Sequence, residues 1–185
     1  MKNPHNLKIA ISGKSGCGNT TVSKLTAGKL NLRFINFTFR NLAEEKGLTL
    51  QDILEKAKTD DSWDKEVDRR QAALAKESGT TGCVLGSRLA IWILQEADLK
   101  VYLKADPITR VNRIIKRESG SFESVSAFTK ERDREDHCRY LHLYNIDNDD
   151  YSFADLIIDT DLLTPEEIAE KIIAKAENIS ANNRV

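Results

Sequence analysis

The sequence predicts an α/β fold in which a parallel sheet of five strands is covered by helices on both faces, with ligands bound at the carboxyl ends of the strands. Short apolar segments alternate with longer helical segments along the chain. The first apolar segment leads directly into a glycine-rich loop and then into a helical pattern. The length of 185 residues suits one domain with a sizeable core, so we expect a single domain over residues 1–185.

The predicted strands are short and rich in apolar residues. They are Leu7–Ser12, Arg33–Phe37, Gly82–Leu85, Lys100–Leu103 and Ala154–Asp159. Helical spacing fills the intervals at Thr20–Leu30, Leu42–Glu45, Leu50–Ala57, Trp63–Lys76, Leu89–Glu96, Ile108–Arg117, Val125–Tyr144 and Pro165–Ala176. The last helix has a strong start signal, because a capping hydroxyl at Thr164 precedes a first-turn proline and two acids. The polar stretches 1–6 and 178–185 are expected to flank the domain.

The loop after the first strand is typical of a phosphate-binding site. Its residues are Gly13, Lys14, Ser15, Gly16, Cys17, Gly18, Asn19, Thr20 and Thr21. The spacing fits G-x-x-x-x-G-K-[ST] except that Asn19 replaces the lysine. Backbone N–H groups and a helix N-terminus bind phosphate, and the Thr20 hydroxyl is a candidate Mg²⁺ ligand. Lys14 is a candidate for supplying the missing charge, within the chain or across a dimer. The alternative is a strand-to-helix turn without a ligand.

Composition excludes several classes of protein. The formal net charge of −1 argues against a general nucleic-acid-binding surface. No apolar run approaches the ~20 residues needed to span a bilayer, and no signal peptide precedes the first strand. Cys17, Cys83 and Cys138 are scattered, which suits a reducing compartment and indicates neither disulfides nor a metal cluster. We expect a soluble, cytoplasmic monomer that does not bind nucleic acid or membranes.

Arginine residues are placed where phosphorylated substrates would need them. Arg40 and Arg88 follow predicted strands. The others lie on predicted helices: Arg69, Arg70, Arg110, Arg113, Arg117, Arg132, Arg134 and Arg139. Guanidinium groups suit the binding of two phosphorylated substrates and the neutralisation of a moving phosphoryl group. A solvated charge in a surface ion pair is the alternative for each of them, above all for Arg110 and Arg134.

The motifs, taken in order, resemble those of the nucleoside monophosphate kinases, which have a P-loop NTPase fold. The similarity is greatest to cytidylate kinases of the compact archaeal type and covers nearly the whole chain. The residues that carry it are Gly13–Thr21, Phe37–Arg40, Leu42–Glu44, Asp68–Gln71, Gly86–Ala90 with Trp92, Ala97–Leu103, Arg110–Arg117, Glu131–Arg132, Arg139–Tyr140, Tyr144–Asp147 and Asp155–Thr160. Each motif alone is weak, but their joint order and spacing are specific.

The resemblance implies Mg²⁺-assisted transfer of the terminal phosphoryl group of ATP to CMP or dCMP, without a covalent intermediate. It implies that Arg40, Arg70 and Arg88 bind the acceptor phosphate. Asp68 and Arg69 would meet the base or brace its pocket, whereas Trp92 either lines the pocket or packs in the core. The implied acceptor-binding helices span about 38–80.

The same resemblance implies a lid at about 117–132 around Ser119–Phe122, flanked by Arg113 and Arg117. Closure of a lid would exclude water and suppress ATP hydrolysis. Arg132 and Arg139 are then candidates to approach the transferred group. His137 and His142 are expected at the surface, because phosphoryl transfer does not require a histidine base.

Three positions depart from the family pattern: Asn19 replaces the loop lysine, Gly86 stands where an acid is common, and Asn36–Phe39 lacks a Gly-Asp pair. Two alternatives therefore stay open. The chain could be a catalytically weakened nucleotide-binding or regulatory module, or a kinase for another monophosphate or small metabolite.

Overall fold

The computed structural model describes residues 6–182 and confirms the predicted sheet. The five strands are β1 Lys8–Ser12, β2 Arg33–Ile35, β3 Cys83–Gly86, β4 Leu99–Lys104 and β5 Leu156–Asp159. They are parallel and lie in the order β2-β3-β1-β4-β5. β1 is central and almost fully buried, as its apolar sequence predicts for a parallel strand covered on both faces. Residues 1–5 and 183–185, within the predicted polar ends, lie outside the described part.

Eight helices connect and follow the strands within the described residues. They are α1 Asn19–Leu30, α2 Phe39–Lys46, α3 Leu50–Ala57, α4 Ser62–Glu77, α5 Ala90–Ile93, α6 Pro107–Glu118, α7 Phe122–Tyr144 and α8 Pro165–Asn182. The predicted cap of α8 is confirmed: the Glu167 amide donates to the Thr164 hydroxyl, and the Glu167 carboxylate accepts from the Thr164 amide at 2.8 Å.

The core has two layers, one on each side of the sheet. On one side, Val22 and Leu30 of α1 and Ile172 of α8 pack against the central strands. On the other side, Ala75 of α4 and Ile91 of α5 pack against the opposite faces of the same strands. Burial of these apolar side chains supplies the main stabilising term and fixes the orientation of the strand ends.

Helices α2 to α4 form a smaller cluster of their own. Phe37 and Leu42 pack against Ile53 and Val67, apart from the two main layers. These helices fall within the range expected to bind the acceptor, about 38–80. A separate small core lets such a unit keep its shape if it moves relative to the sheet.

Several predicted element boundaries were wrong, and two of them have a clear structural reason. The helix predicted at Leu89–Glu96 ends at Ile93, because the chain must turn so that Asp98 can bond β1, where its amide donates to the Lys8 carbonyl at 2.8 Å. Helix α7 begins at Phe122 rather than Val125, because the Ser121 hydroxyl caps it by accepting from the Ser124 amide. Most of the predicted lid region is therefore helical.

Within residues 6–182, no helix combines the length and apolarity that a membrane crossing needs.

Candidate phosphoryl-transfer site

The glycine loop runs from the carboxyl end of β1 to the N-terminus of α1. Gly18 caps α1 in the left-handed region, with φ of 98°. A Cβ atom on Gly13 would lie 2.4 Å from the Leu103 carbonyl oxygen, so the first loop position accepts only glycine. The tight loop and the free N–H groups at the start of α1 form an anion-binding cradle.

Asn19, which stands in place of the loop lysine, holds the loop together from within. Its side-chain Nδ2 donates to the Gly13 carbonyl oxygen at 2.5 Å. Its Oδ1 atom is buried, and no hydrogen-bond partner for it lies within residues 6–182. Asn19 therefore shapes the cradle but brings no charge to it.

Lys14, the candidate for the missing charge, is in an ion pair. Its Nζ lies 2.6 Å from Oδ1 of Asp149, in the loop after α7. His137 lies beside the same loop, with Nδ1 3.0 Å from Oδ1 of Asn148, whereas His142 is mostly exposed and bonds Asp61. The structure thus places Lys14 at the cradle with one exposed acidic partner; its electrostatic role stays a prediction.

Arg110 braces the back of the loop. Its Nε donates to the Ser15 carbonyl at 2.7 Å, and its two terminal nitrogens donate to the Asp133 carboxylate at 2.7 and 2.8 Å. The guanidinium is buried in an internal ion pair, so Arg110 is not the solvated surface charge considered as its alternative. Arg113 is held by Thr160, whose hydroxyl accepts at 2.9 Å. The loop, α6 and α7 are therefore tied together before any substrate binds.

A cavity of about 750 Å³ opens in front of the cradle, within the usual size range of ligand pockets. It brings together the whole loop from Gly13 to Thr21 and most of the predicted site residues. Those from outside the loop are Asp68, Arg88, Arg113, Arg117, Arg132 and Arg139. Arg88 pairs with Asp136 and Arg139 with Asp64, at 3.2 Å. The cavity is thus strongly positive, as two phosphorylated ligands require.

Arg132 differs from the other arginines of the cavity. It is half-buried, and within the described residues it makes neither a hydrogen bond nor an ion pair. Burial and the nearby positive charge of Arg88 lower the pKa of Arg132 below its ordinary value. The carboxylates of Asp136 and Glu118 oppose this effect only in part. A half-buried guanidinium without a hydrogen-bond or ion-pair partner is stabilised by a bound anion, so this position suits a negatively charged ligand.

Four predicted acceptor residues do not line the cavity in this conformation. Arg40 is exposed on α2. Arg69 pairs with Glu66, and Arg70 with Glu45 at 2.5 Å, so acids on the acceptor helices hold both guanidinium groups. Trp92 packs edge-to-face on Tyr102 and Phe153, at 6.2 and 5.7 Å between ring centroids, so of its two alternatives the packing position is the one observed.

Several residues that shape the site were missed in the sequence analysis. Asp133 and Asp136 hold Arg110 and Arg88, and their spacing of three on α7 was a signal for a shared helix face. Gln71 lines the cavity. Tyr144 lies behind the cavity wall and donates a hydrogen bond to Asp68. Nothing in the spacing of these two residues singles them out, because their partners come from distant parts of the chain.

Solved structures of kinases share this fold. Shikimate kinase from Bacteroides thetaiotaomicron aligns with a TM-score of 0.61 and 16% identity, covering 95% of this chain and 98% of that one. Deoxyadenosine kinase from M. mycoides with bound dATP aligns with a TM-score of 0.57 and 17% identity, covering 91% and 98%. The fold of this chain is therefore the one that these kinases share.

The family follows from sequence. The profile of the cytidylate kinase-like family matches residues 8–162, and the chain belongs to that family. Cytidylate kinase 2 of Borreliella afzelii is 47% identical over 170 residues, which cover 90% of this chain and 94% of that protein. Cytidylate kinase of Pyrococcus horikoshii is 38% identical over 175 residues, which cover 94% and 90%. The resemblance to cytidylate kinases is confirmed.

Proposed function

We propose that this protein transfers the terminal phosphoryl group of ATP to CMP or dCMP, giving ADP and CDP or dCDP. Membership of the cytidylate kinase-like family supports this acceptor over other monophosphates and over a binding module without turnover. The observation that carries the chemistry is Arg132, which lines the same cavity as the glycine loop and has no hydrogen-bond or ion-pair partner among residues 6–182, so its guanidinium is available to a phosphoryl group in transfer.

The reaction is a direct displacement. An oxygen of the acceptor phosphate forms a bond to the terminal phosphorus of ATP as the bond from that phosphorus to the bridging oxygen breaks, and ADP leaves with the electron pair. The loop cradles the donor phosphates, and Lys14 adds charge there. Arg88, with Arg40 and Arg70, binds the acceptor phosphate, and Arg132 and Arg139 neutralise the group in transit.

The residues present fit a Mg²⁺ ion bound mainly by substrate and water. The Thr20 hydroxyl is exposed at the start of α1 and has only a long contact, 3.4 Å, from Asn36 Nδ2. Gly86 offers no carboxylate, so Thr20, phosphate oxygens and water would complete an octahedral shell, which Mg²⁺ accepts. When bound, the ion would screen the charge between donor and acceptor phosphates.

We assign the lid to about 117–132, the end of α6 and the start of α7, and the acceptor-binding helices to about 38–80. Arg113 and Arg117 flank the lid: Arg113 is held by Thr160, whereas Arg117 would move with the lid. Arg117 now bonds its neighbour Glu118 at the surface, a contact it can exchange for phosphate at small cost. Closure of the lid would bring the guanidinium of Arg117 over the cavity and exclude water from the cavity.

We further propose that the enzyme acts as a cytoplasmic monomer on free nucleotides rather than on nucleic acid or membranes. The net charge of −1 and the unpaired cysteines, two of them buried, support this. Analytical ultracentrifugation of the purified protein, with and without nucleotide, tests whether it is a monomer.

The test is ATP-dependent conversion of CMP, dCMP, UMP and AMP in the presence of Mg²⁺, by wild type and by Arg132→Met. We expect selective conversion of CMP or dCMP, and about a 1,000-fold loss of turnover in the variant. The matched control is Arg134→Met on the same helix, because Arg134 pairs with Glu131 at the surface and should be dispensable. Undiminished turnover in Arg132→Met, or no conversion by wild type, would contradict the proposal.

A further inference from the structure

Two residues of α4 that carry side-chain oxygen acceptors, Asp68 and Gln71, line the cavity. Their spacing of three places them on one side of the helix. The guanidinium groups of α4 lie elsewhere: Arg69 is exposed and Arg70 is held by Glu45. This part of the wall therefore presents hydrogen-bond acceptors, in contrast to the cationic remainder of the cavity.

The orientation of the Gln71 amide is fixed by its surroundings. Its Nε2 donates to the Phe37 carbonyl oxygen at 2.8 Å, and a carbonyl can only accept, so the amide cannot be turned around. The Oε1 atom has no hydrogen-bond partner within the described residues, although Gln71 is only 4% exposed. A buried acceptor without a donor is unfavourable, which indicates that a ligand supplies the donor.

One oxygen of the Asp68 carboxylate is likewise already hydrogen-bonded within the protein. The Tyr144 hydroxyl donates to its Oδ2 at 2.7 Å, which leaves Oδ1 for a ligand. Burial raises the pKa of Asp68 to about 6, with the carboxylate of Asp64 adding to the effect, while the Tyr144 hydrogen bond and the charge of Arg88 oppose it. At neutral pH the carboxyl is mostly ionised and acts as an acceptor.

We infer that Asp68 and Gln71 accept the two hydrogens of an exocyclic amino group on the acceptor base, and so select cytosine over uracil. The inference rests on the proposed function, because it concerns the acceptor of that reaction. Cytosine carries an amino group at the position where uracil carries a carbonyl oxygen. The uracil carbonyl oxygen at that position would face two further acceptors. This oxygen, Asp68 Oδ1 and Gln71 Oε1 would then all lack a hydrogen-bond donor, so binding of uracil would be strongly unfavourable.

Nucleotide binding tests the inference independently of turnover. Affinities for CMP and UMP are measured by calorimetry, without ATP, for wild type, Asp68→Asn and Gln71→Met. We expect wild type to bind CMP at least 100-fold more tightly than UMP. The ratio should fall about 100-fold in Asp68→Asn, because the new amide can donate to the uracil carbonyl, and about tenfold in Gln71→Met.

The matched control is Lys65→Ala, at an exposed position one turn before Asp68, which should keep the wild-type ratio. Circular dichroism establishes that each variant is folded. A ratio that survives in both Asp68→Asn and Gln71→Met overturns the inference, and so does equal binding of CMP and UMP by wild type. Selective binding of CMP without any conversion would instead contradict the proposed function and leave the inference standing.

The pH dependence gives a second readout. Protonation weakens Asp68 as an acceptor and gives it an O–H group that can donate to a uracil carbonyl, so the ratio of CMP to UMP affinity should fall as the pH drops below about 6. Ionisation of the nucleotide phosphate affects both ligands and cancels in the ratio. The charged and titratable groups around the carboxyl, Asp64, Tyr144 and Arg88, stay the same in Asp68→Asn. The variant should therefore show a flat ratio from pH 5 to pH 8, and a wild-type ratio that is also flat would count against Asp68.

Discussion

The two sides of the cavity hold their arginines in opposite ways. On the loop side, the Arg110 side chain is 5% exposed and makes three hydrogen bonds, to Ser15 and Asp133. On the acceptor side, the side chains of Arg69 and Arg70 are 64% and 35% exposed, and each has one acidic partner. The same residue type thus serves as a fixed brace in one region and as an exchangeable charge in the other.

The difference follows from the free energy of ion pairs in the two settings. A buried, bidentate pair cannot be broken without leaving a charge stranded away from water. An exposed pair contributes about 1 kcal/mol or less and exchanges partners readily. The donor side is therefore preformed, whereas the acceptor-side arginines are free to turn toward a phosphate when it arrives.

Replacing the fixed brace should have the largest effect. Arg110→Ala leaves the Asp133 carboxylate and the Ser15 carbonyl without their partner, so we expect a loss of about 3–5 kcal/mol in the free energy of unfolding. Urea denaturation measures it. Arg134→Ala, which breaks only the exposed pair with Glu131, should change stability by less than about 1 kcal/mol. Equal losses in the two variants would remove the distinction between a buried and an exposed ion pair.

The charge at the loop is the next test. Lys14→Ala should lower kcat about 100-fold, about 2.7 kcal/mol, if this ammonium substitutes for the missing loop lysine. Asn19→Ala should lower it far less, because Asn19 shapes the loop without charge.

Asp149→Asn separates the charge of Lys14 from its ion pair. It releases Lys14 from its partner and should leave kcat within about threefold of wild type. Steady-state kinetics with saturating ATP and CMP decide among the three variants. A normal kcat in Lys14→Ala would show that Lys14 does not take the place of the missing loop lysine.

The sequence was sufficient for the fold class because the positions of the strands and helices along the chain follow from local patterns. Alternation of apolar and helical segments predicted the five parallel strands, and Thr164 predicted the start of α8. The end of α5 could not be predicted, because it depends on the contact of Asp98 with β1, far along the chain. Local propensity does not report such tertiary constraints.

For the site, the sequence indicated which residues have suitable chemistry but not which of them are already paired. The loop and Arg88 could be selected from their positions after strands, and the other arginines of the cavity from their residue type on predicted helices. That Arg110 is neutralised by Asp133 while Arg132 lacks a partner depends on the packing of α6 against α7. The roles of Gln71 and Tyr144 likewise arise only where distant segments meet.

The raised pKa of Asp68 makes the folded state less stable as the pH rises. The expected effect in kcal/mol is smaller than those of Arg110→Ala and Lys14→Ala. The native carboxyl of Asp68 has a pKa of about 6, above its ordinary 3.8, so the native state holds the proton more tightly than the unfolded chain. Its contribution to stability is therefore present at low pH and is lost as the pH rises from about 4 to about 6. Relative to wild type, Asp68→Asn should gain about 1 kcal/mol between pH 5 and pH 8.

Urea denaturation at the two pH values measures this gain. A difference between wild type and Asp68→Asn that does not vary with pH would show that the carboxyl titrates normally in the folded protein.

Removing an exchangeable charge should have the smallest effect on stability. Arg70→Ala breaks a pair with Glu45 and should cost less than about 1 kcal/mol in unfolding free energy. We expect it to raise the KM for CMP about tenfold while the KM for ATP stays unchanged. An unchanged KM for CMP would show that Arg70 remains with Glu45 throughout the reaction.

Gly86 limits which substitutions this site could acquire during evolution. A Cβ atom there would lie 2.4 Å from the Ser23 hydroxyl and 2.7 Å from its Cβ, so even alanine at position 23 leaves the conflict in place. An acid at position 86 therefore requires glycine at position 23 or a shift of α1, and glycine inside a helix costs about 1 kcal/mol. With α1 in its present position, the two residues must change together for a carboxylate to stand at the end of β3.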